Sequence, residues 1–582
     1  MKKKIGIMAG VLVYVVLSVM TCNGVFDSKT VPNQDPNEVV IENQELPDSD
    51  RDFTMIESTL EYSAGTQEGM YRESDSLKLV PEDKKSLSAY YSLPNLVRMS
   101  EEDAAEKMAD IQVFKKMEIL GISPEIFENP EFNWKALYNK SLAEIEKTAL
   151  KPDTTVEFHG MKASELNEFM NANTGKIILV MGKRIELDAT IRVPSNTILD
   201  GNGAEFCTDT AIEYAILLER AENVCIRNVR LTGGFARGIY LVECNRVLLY
   251  QNEVTNADYK AIFVMGTNEY INIVKNSVHD NAKGAVFLEG NISNCIIQHN
   301  EIYQNRGTRN LGAGLVLCSV NLDDLYVPYE QEYGKDEYLF EMLDAPHDIV
   351  IKDNVISENY SSGIYSDGAY MNYIIDNVVK DNEKEGLCLD FGTFGTYINS
   401  NIIERNGDRN RQSDEDLDKD FVLGLGRLED GSSTAKLPGI SIDNAAYNII
   451  YNNVVNQNAG SGIKMVRSGY RNIILCNLVS DNNAGKNELF HGFGIELGHA
   501  SKPDQVIKGL DFTADYENIV ARNVISGHHY SGIYIGTECY CNDLIDNVIM
   551  DCEEFSVENF SDLFNSSVGN NTNVGTLNYN LN

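Results

Sequence analysis

Two aspartates, Asp367 in GIYSDG and Asp390 in GLCLDFG, stand at the same place of the same short phrase, and from 367 to 390 is 23 residues. Asp443, in GISIDN, follows after 53 more, which is 23 plus 30. If the chain winds so that each phrase lies on the one before it, adjacent carboxylates are ~5 Å apart and alternate ones nearer ~10 Å. Those separations are used by paired acids that cut glycosidic bonds, one donating a proton to the bridging oxygen while the other attacks or activates water. Glu496 joins the same column when HGFGIELG is counted from Gly492. Lys464 and Arg467 stand two and five places after Gly462 in GIKMVRSG, which sets a basic group beside the acids. Tyr365, His491 and the insertion tyrosines Tyr326 and Tyr329 are the side chains suited to touch a sugar, each having a flat ring and a polar edge. A plainer account makes the column a solvated acidic ladder, with Lys464 and Arg467 balancing its charge and the tyrosines packing their own loop.

The elements that must position these residues are coils of about two dozen residues. Asn252, Asn276 and Asn300 recur at intervals of 24, as do the pairs Asn377 and Asn401, Asn453 and Asn477, and Asn523 and Asn547. That length accommodates three short strands and three turns, so the repeat predicts a parallel solenoid with asparagines stacked at a turn. Asparagine suits a turn because it tolerates left-handed backbone and bonds to a stacked copy of itself. Counted from the glycine of each phrase, the first and third places are apolar and point inward; the second and fourth point outward. The fourth reads Val242, Met265, Leu288 and Cys318, then Asp367, Asp390, Asp443, Val466, Glu496 and Gly536. The apolar start of an outward column calls for a cover, either a helical segment before residue 150 or the insertion at 319–346. The polar stretch from 405 to 438 accounts for the extra 30 residues if it is a single loop.

Around the coils, MKKKIGIMAGVLVYVVLSVMTC has the order of an export signal, and residues 1–22 are expected to send the chain out of the cytoplasm. Cys22 is either a lipid attachment point or part of an uncleaved anchor or a removed signal. Residues 23–75 are acidic and proline-bearing, as in a disordered linker. Residues 76–150 carry helix-spaced apolar side chains, and 151–582 hold the solenoid with a C-terminal cap. The 49 Lys and Arg against 87 Asp and Glu give a net charge of −38, which argues against nucleic acid and leaves the membrane only to an N-terminal anchor. The eleven cysteines are scattered, several in apolar runs, and read as buried thiols.

From about residue 175 to 555, with PSNTILDGNGAEF as its first coil, the chain resembles the right-handed parallel β-helix superfamily of pectate lyases and polygalacturonases. The resemblance implies an all-β fold, a right-handed single-stranded parallel β-helix solenoid preceded by a small α-helical subdomain. It also implies a surface or extracellular enzyme that cleaves a polysaccharide or oligosaccharide in a groove on one sheet. SDG at Asp367 is similar to the polygalacturonase NTDG, LDFG at Asp390 stands where that family has two aspartates, and HGFG and GIKMV are similar to its remaining segments in reversed order. Hydrolysis of that kind requires no cofactor. The lyases imply another chemistry, in which Asp367, Asp390 and Asp443 hold Ca²⁺ against a uronate and Lys464 or Arg467 removes a proton. The same coils also build non-catalytic glycan-binding and adhesive proteins.

Overall fold

The computed structural model describes residues 112–127, 133–148 and, from 154 to 581, all but 308–311, 320–343, 391, 409–435, 467–468, 485–490, 499–514, 528, 537–538, 540, 562–566, 570–571 and 575–577. The signal-like start, Cys22, the acidic linker, Tyr326, Tyr329 and Arg467 lie outside the described residues. The chain divides into Met1–Asp83 and Lys84–Asn582, and all described residues belong to the second unit.

Among the described residues, short β-forming runs separated by turns give three parallel sheets of 14, 15 and 14 strands, in which, after the first pair Thr155–Phe158 and Ile177–Val180, each strand pairs with the third one along the chain. One coil runs through Ile364–Asp367 in sheet 1, Tyr373–Ile375 in sheet 2 and Val378–Lys380 in sheet 3; the next runs through Leu387–Asp390, Tyr397–Asn399 and Ile402–Glu404. The inward rows Ile364, Leu387, Ile440 and Ile463 are almost wholly buried and belong to one continuous apolar core. Among the described residues, three α-helices precede or interrupt the first coils: α1 (Gln112–Leu120), α2 (Trp134–Thr148) and α3 (Ala163–Ala172). Long insertions leave the winding intact. Leu389 before residues 409–435 pairs with Ile442 after them, and Cys318 before residues 320–343 pairs with Asp367 after them, so the register continues past both stretches.

The asparagines stack as expected. Asn401 illustrates the pattern: its Oδ1 accepts from the Asn377 backbone N–H at 2.9 Å, and its Nδ2 donates to Ile374 O at 2.8 Å and to Asn453 Oδ1 at 3.0 Å. Every polar atom of the buried amide is thereby used. The left-handed backbone, however, belongs to the residue before each ladder asparagine: Gln251, Lys275, Asp376, Ser400 and Cys476 all have φ between 52° and 56°. The asparagine supplies the bonds and its predecessor the bend.

Two register assignments from the sequence are corrected. Ile262 pairs with Val286 and Met265 with Glu289, so the coil after Gly284 is displaced by one and Glu289, not Leu288, occupies the fourth outward place. Ile463 pairs with Ile495 and Lys464 with Glu496, so the phrase in HGFGIELG begins at Gly494, and Glu496 occupies the second place rather than the fourth. The two glycines of GFG make both alignments plausible by pattern; burial of Ile495 and Leu497 selects one.

The described helices do not supply the expected cover, and of the other option, the insertion at 319–346, residues 320–343 lie outside the described residues. α2 packs on sheet 2, where Tyr138 Oη donates to Gln298 Oε1 at 2.8 Å and Lys140 Nζ to Asn294 Oδ1 at 3.0 Å. α1 and the turn Pro124–Phe127 lie on the corner between sheets 1 and 2, against Tyr370, Phe394, Ala446 and Tyr447. Neither helix lies on the apolar start of the fourth column.

Candidate functional site: the acid column of sheet 1

The outward face of sheet 1 carries two parallel rows. The fourth places give Met265, Glu289, Cys318, Asp367, Asp390, Asp443 and Val466; the second give Phe263, Phe287, Val316, Tyr365, Cys388, Ser441, Lys464, Glu496 and Tyr534. Cross-strand registry sets Asp367 directly on Asp390. The pairing of Leu389 with Ile442 brings Asp443 to the next rung. The sequence therefore stacks three aspartates at strand spacing, ~4.8 Å per rung.

Burial divides this column. Glu289 and Asp367 are 4% and 8% exposed, whereas Asp390 and Asp443 are half-buried. Each buried acid has a lysine. Lys260, itself fully buried, reaches Glu289 Oε2 at 3.3 Å, with its ammonium 4.0 Å from the Phe263 ring centre and 4.6 Å from that of Phe287. Burial pulls the Lys260 ammonium below its ordinary range, and the Glu289 charge opposes the pull. Lys116, from α1, donates to Gly368 O and lies 5.0 Å from the Tyr370 ring centre. Burial pushes the Asp367 carboxyl up, against the Lys116 charge and the Tyr365 hydroxyl; it pulls the Lys116 ammonium down, against the Asp367 charge. Buried opposite charges compensate one another's lost hydration, and removing one partner strands the other.

The open part is built differently. Tyr365 Oη donates to Asp390 Oδ2 at 2.9 Å, and Thr393 Oγ1 donates to the Asp390 carbonyl at 2.7 Å, fixing the strand end that presents the carboxyl. Beyond Asp443 the second row takes over. Lys464 Nζ is 2.8 Å from Glu496 Oε1, and Ser461 Oγ donates to Glu496 Oε2 at 2.6 Å. Glu496 is buried at 2% exposure, so this ion pair closes one end of the run. His491 is exposed and stacks on Tyr530, with ring centres 4.0 Å apart, two coils from the aspartates.

Asp515 was not singled out by sequence reasoning. It is fully buried at the corner after the 499–514 stretch, and its two oxygens accept from the Gly469 and Gly498 backbone N–H groups, each at 2.6 Å. Burial lifts its carboxyl to about 7; the two backbone donors hold it back, and the charges of Asp443 and Glu496 add to the rise. The phrase that follows it, YENIVARN, repeats YRNIILCN 46 residues earlier and stacks Tyr516 on Tyr470 and Asn518 on Asn472, but Gly469 stands at the place matching Asp515, so the repeat fixes its position without marking its carboxyl.

Among the described residues no group of three or more His, Cys, Asp or Glu side chains is arranged to hold a metal, and the Lys116 ammonium already faces Asp367. A hard cation needs six or more oxygens around it.

Residues 214–409 match the family model described as the right handed beta helix region. No curated protein matches the sequence. Among solved structures, the mannuronan C-5 epimerase AlgE6 A-module of Azotobacter vinelandii is 12% identical with a TM-score of 0.45, covering 71% of this chain and 95% of that one. The pre-mature bacteriophage phi29 gene product 12 is 11% identical with a TM-score of 0.50, covering 71% and 54%. The GH87 α-1,3-glucanase catalytic unit of Streptomyces thermodiastaticus strain HF3-3 is 12% identical with a TM-score of 0.41, covering 73% and 70%. On its sheets, its asparagine ladders and the match over 214–409, the chain is a right-handed parallel β-helix protein.

Proposed function

We propose that this protein is an exported carbohydrate-active enzyme that cleaves glycosidic bonds of a polysaccharide or oligosaccharide at the open half of the acid column, by hydrolysis. The supporting observation is the register that sets Asp390 and Asp443 on adjacent, half-buried rungs of one outward face. At ~5 Å the pair has the spacing of retaining chemistry: one carboxyl protonates the leaving oxygen, the other attacks the anomeric carbon, and water later releases the sugar. The Tyr365 hydroxyl bonded to Asp390 holds one of the two in a fixed orientation. Elimination is less well supported, because the Lys464 ammonium is engaged by Glu496. The signal-like order of residues 1–22 supports export to the cell surface or beyond it, with membrane contact, where there is any, through that end.

A glycan-binding solenoid is the second reading. It is favoured by the burial of Asp367 and Asp515: the two carboxyls lifted to about 7, the ones suited to hold a proton, are both covered. Product analysis on a panel of neutral and uronate glycans, with and without chelator, separates the readings. Hydrolysis gives saturated products unaffected by chelator and abolished in Asp390→Asn and Asp443→Asn. Glycan retention without product supports the binder, and chelator-sensitive products absorbing in the ultraviolet overturn hydrolysis.

A further inference from the structure

We infer that α1 is an autoinhibitory plug: docked on the corner of sheets 1 and 2, it occludes Asp367 and shortens the acid column available to a glycan. The inference rests on the reading of sheet 1 as the glycan-facing surface.

Three observations carry it. First, the occlusion is specific. Lys116 is 1% exposed and bonds to the carbonyl of Gly368, the residue after Asp367, so α1 meets the column at the rung where the buried acids give way to the open ones. Second, the docking has a socket. The corner residues His347, Tyr370 and Phe394 form a continuous ring stack, with centres 4.8 and 5.2 Å apart, that breaks at Ala446 before resuming at Tyr470. Phe127 fills that break. Its ring stacks on Tyr447 at 4.9 Å and meets the edge of Phe394 at 6.2 Å, and a Cβ on Gly395 would come within 2.8 Å of it. A segment from outside the coils thus replaces a missing rung.

Third, the attachment is slight beside the solenoid it covers. α1 has nine residues, too few to hold a helix in water without a surface to lie on. Among its described side chains Val113 and Met117 are fully buried and Leu120 packs partly against the same cluster, as does Ile122 just after it; Phe127 is buried beyond the helix, and Ile119 and Ile126 remain 47% and 44% exposed. Docking also strips water from Lys116, which opposes it. The balance favours a cover that can leave while the coils remain wound.

When α1 departs, Asp367 joins Asp390 and Asp443 and the exposed acid run lengthens from two rungs to three. A longer run accommodates a longer stretch of chain and relieves the block at the end nearest Cys318.

The test uses the full chain with Phe127→Ala and, separately, the double variant Val113→Ser/Met117→Ser, in case either disturbs folding; circular dichroism and thermal melting confirm that the coils persist. Carbodiimide labelling of carboxyls, read by mass spectrometry, needs no substrate. Asp367 should be silent in the wild type and label at least tenfold faster in both variants, accompanied by higher glycan turnover or retention. Unchanged Asp367 labelling in variants whose α1 has become protease-sensitive overturns the plug. Faster labelling with turnover and retention unchanged reduces α1 to a structural cover, and loss of turnover makes Lys116 part of the site; either outcome also overturns it. If neither wild type nor variants act on or bind any glycan, the cleavage reading fails, and labelling still decides whether α1 occludes Asp367.

Discussion

Glu289 and Asp367 occupy the same column as Asp390 and Asp443, on strands of the same sheet, yet the two pairs have opposite surroundings. The first pair is buried, each acid facing a lysine that is itself buried; the second is half-open, and Asp390 is held by a tyrosine hydroxyl. The coil repeat alone does not make this difference. It comes from Lys260, at the edge of a neighbouring coil, and from Lys116, which belongs to no coil at all. In a solenoid the repeat fixes where a side chain stands, and non-repeating residues fix whether it meets solvent, substrate or a counter-charge.

The largest effect expected from this contrast is on catalysis. Asp443→Asn should lower turnover on the order of 10²–10⁴-fold, the usual worth of a positioned acid or base, with the fold retained. Steady-state kinetics with circular dichroism checks it, and a change of only a few fold would move the chemistry elsewhere.

On the covered side the effect is on stability. Lys260→Met leaves Glu289 as a lone buried charge and should cost about 3–5 kcal/mol. Lys116→Met should cost less, because Asp367, already lifted to about 7, can take up a proton instead. Chemical denaturation measures both; equal losses would deny Asp367 that escape.

A third expectation concerns pH. The folded pKa of Asp515, about 7, stands above its ordinary 3.8, so between those values the folded chain keeps a proton that the unfolded chain has released. The stability this group contributes is full below about pH 4 and is lost as the pH rises toward 7, at up to roughly 1.4 kcal/mol per pH unit. Melting curves of wild type and Asp515→Asn between pH 4 and 8 should therefore converge or diverge with that slope, and a constant difference contradicts it. The smallest effect belongs to Tyr365→Phe, which removes the bond to Asp390 and should cost about 1 kcal/mol with a severalfold loss of turnover.

Much of the fold was legible in the sequence because a solenoid writes its geometry as a period. The asparagine spacing marked the ladder, and the phrase around Asp367 and Asp390 gave their true register. Where the phrase blurs, the pattern fails. GFG offers two starting glycines and placed Glu496 in the wrong row; NAKGAVFLE, with small residues at its head, concealed Glu289. The contacts that divide the column were not legible at all. Lys116 lies 252 residues before its partner Gly368 and outside every coil, and Asp515 stands in a repeat place that Gly469 fills in the preceding coil, so no recurring residue type points to either. Phe127 filling the place opposite Ala446 likewise depends on an absent ring, which only the stacked structure reveals.

The division of the acid column is tested most directly by carboxyl labelling of the wild-type protein with and without a bound oligosaccharide. Asp390 and Asp443 should label freely and become protected by the glycan, while Glu289 and Asp367 stay unlabelled in both states. Labelling of Asp367 as fast as Asp443, or a glycan that leaves Asp390 and Asp443 unprotected, would contradict the account.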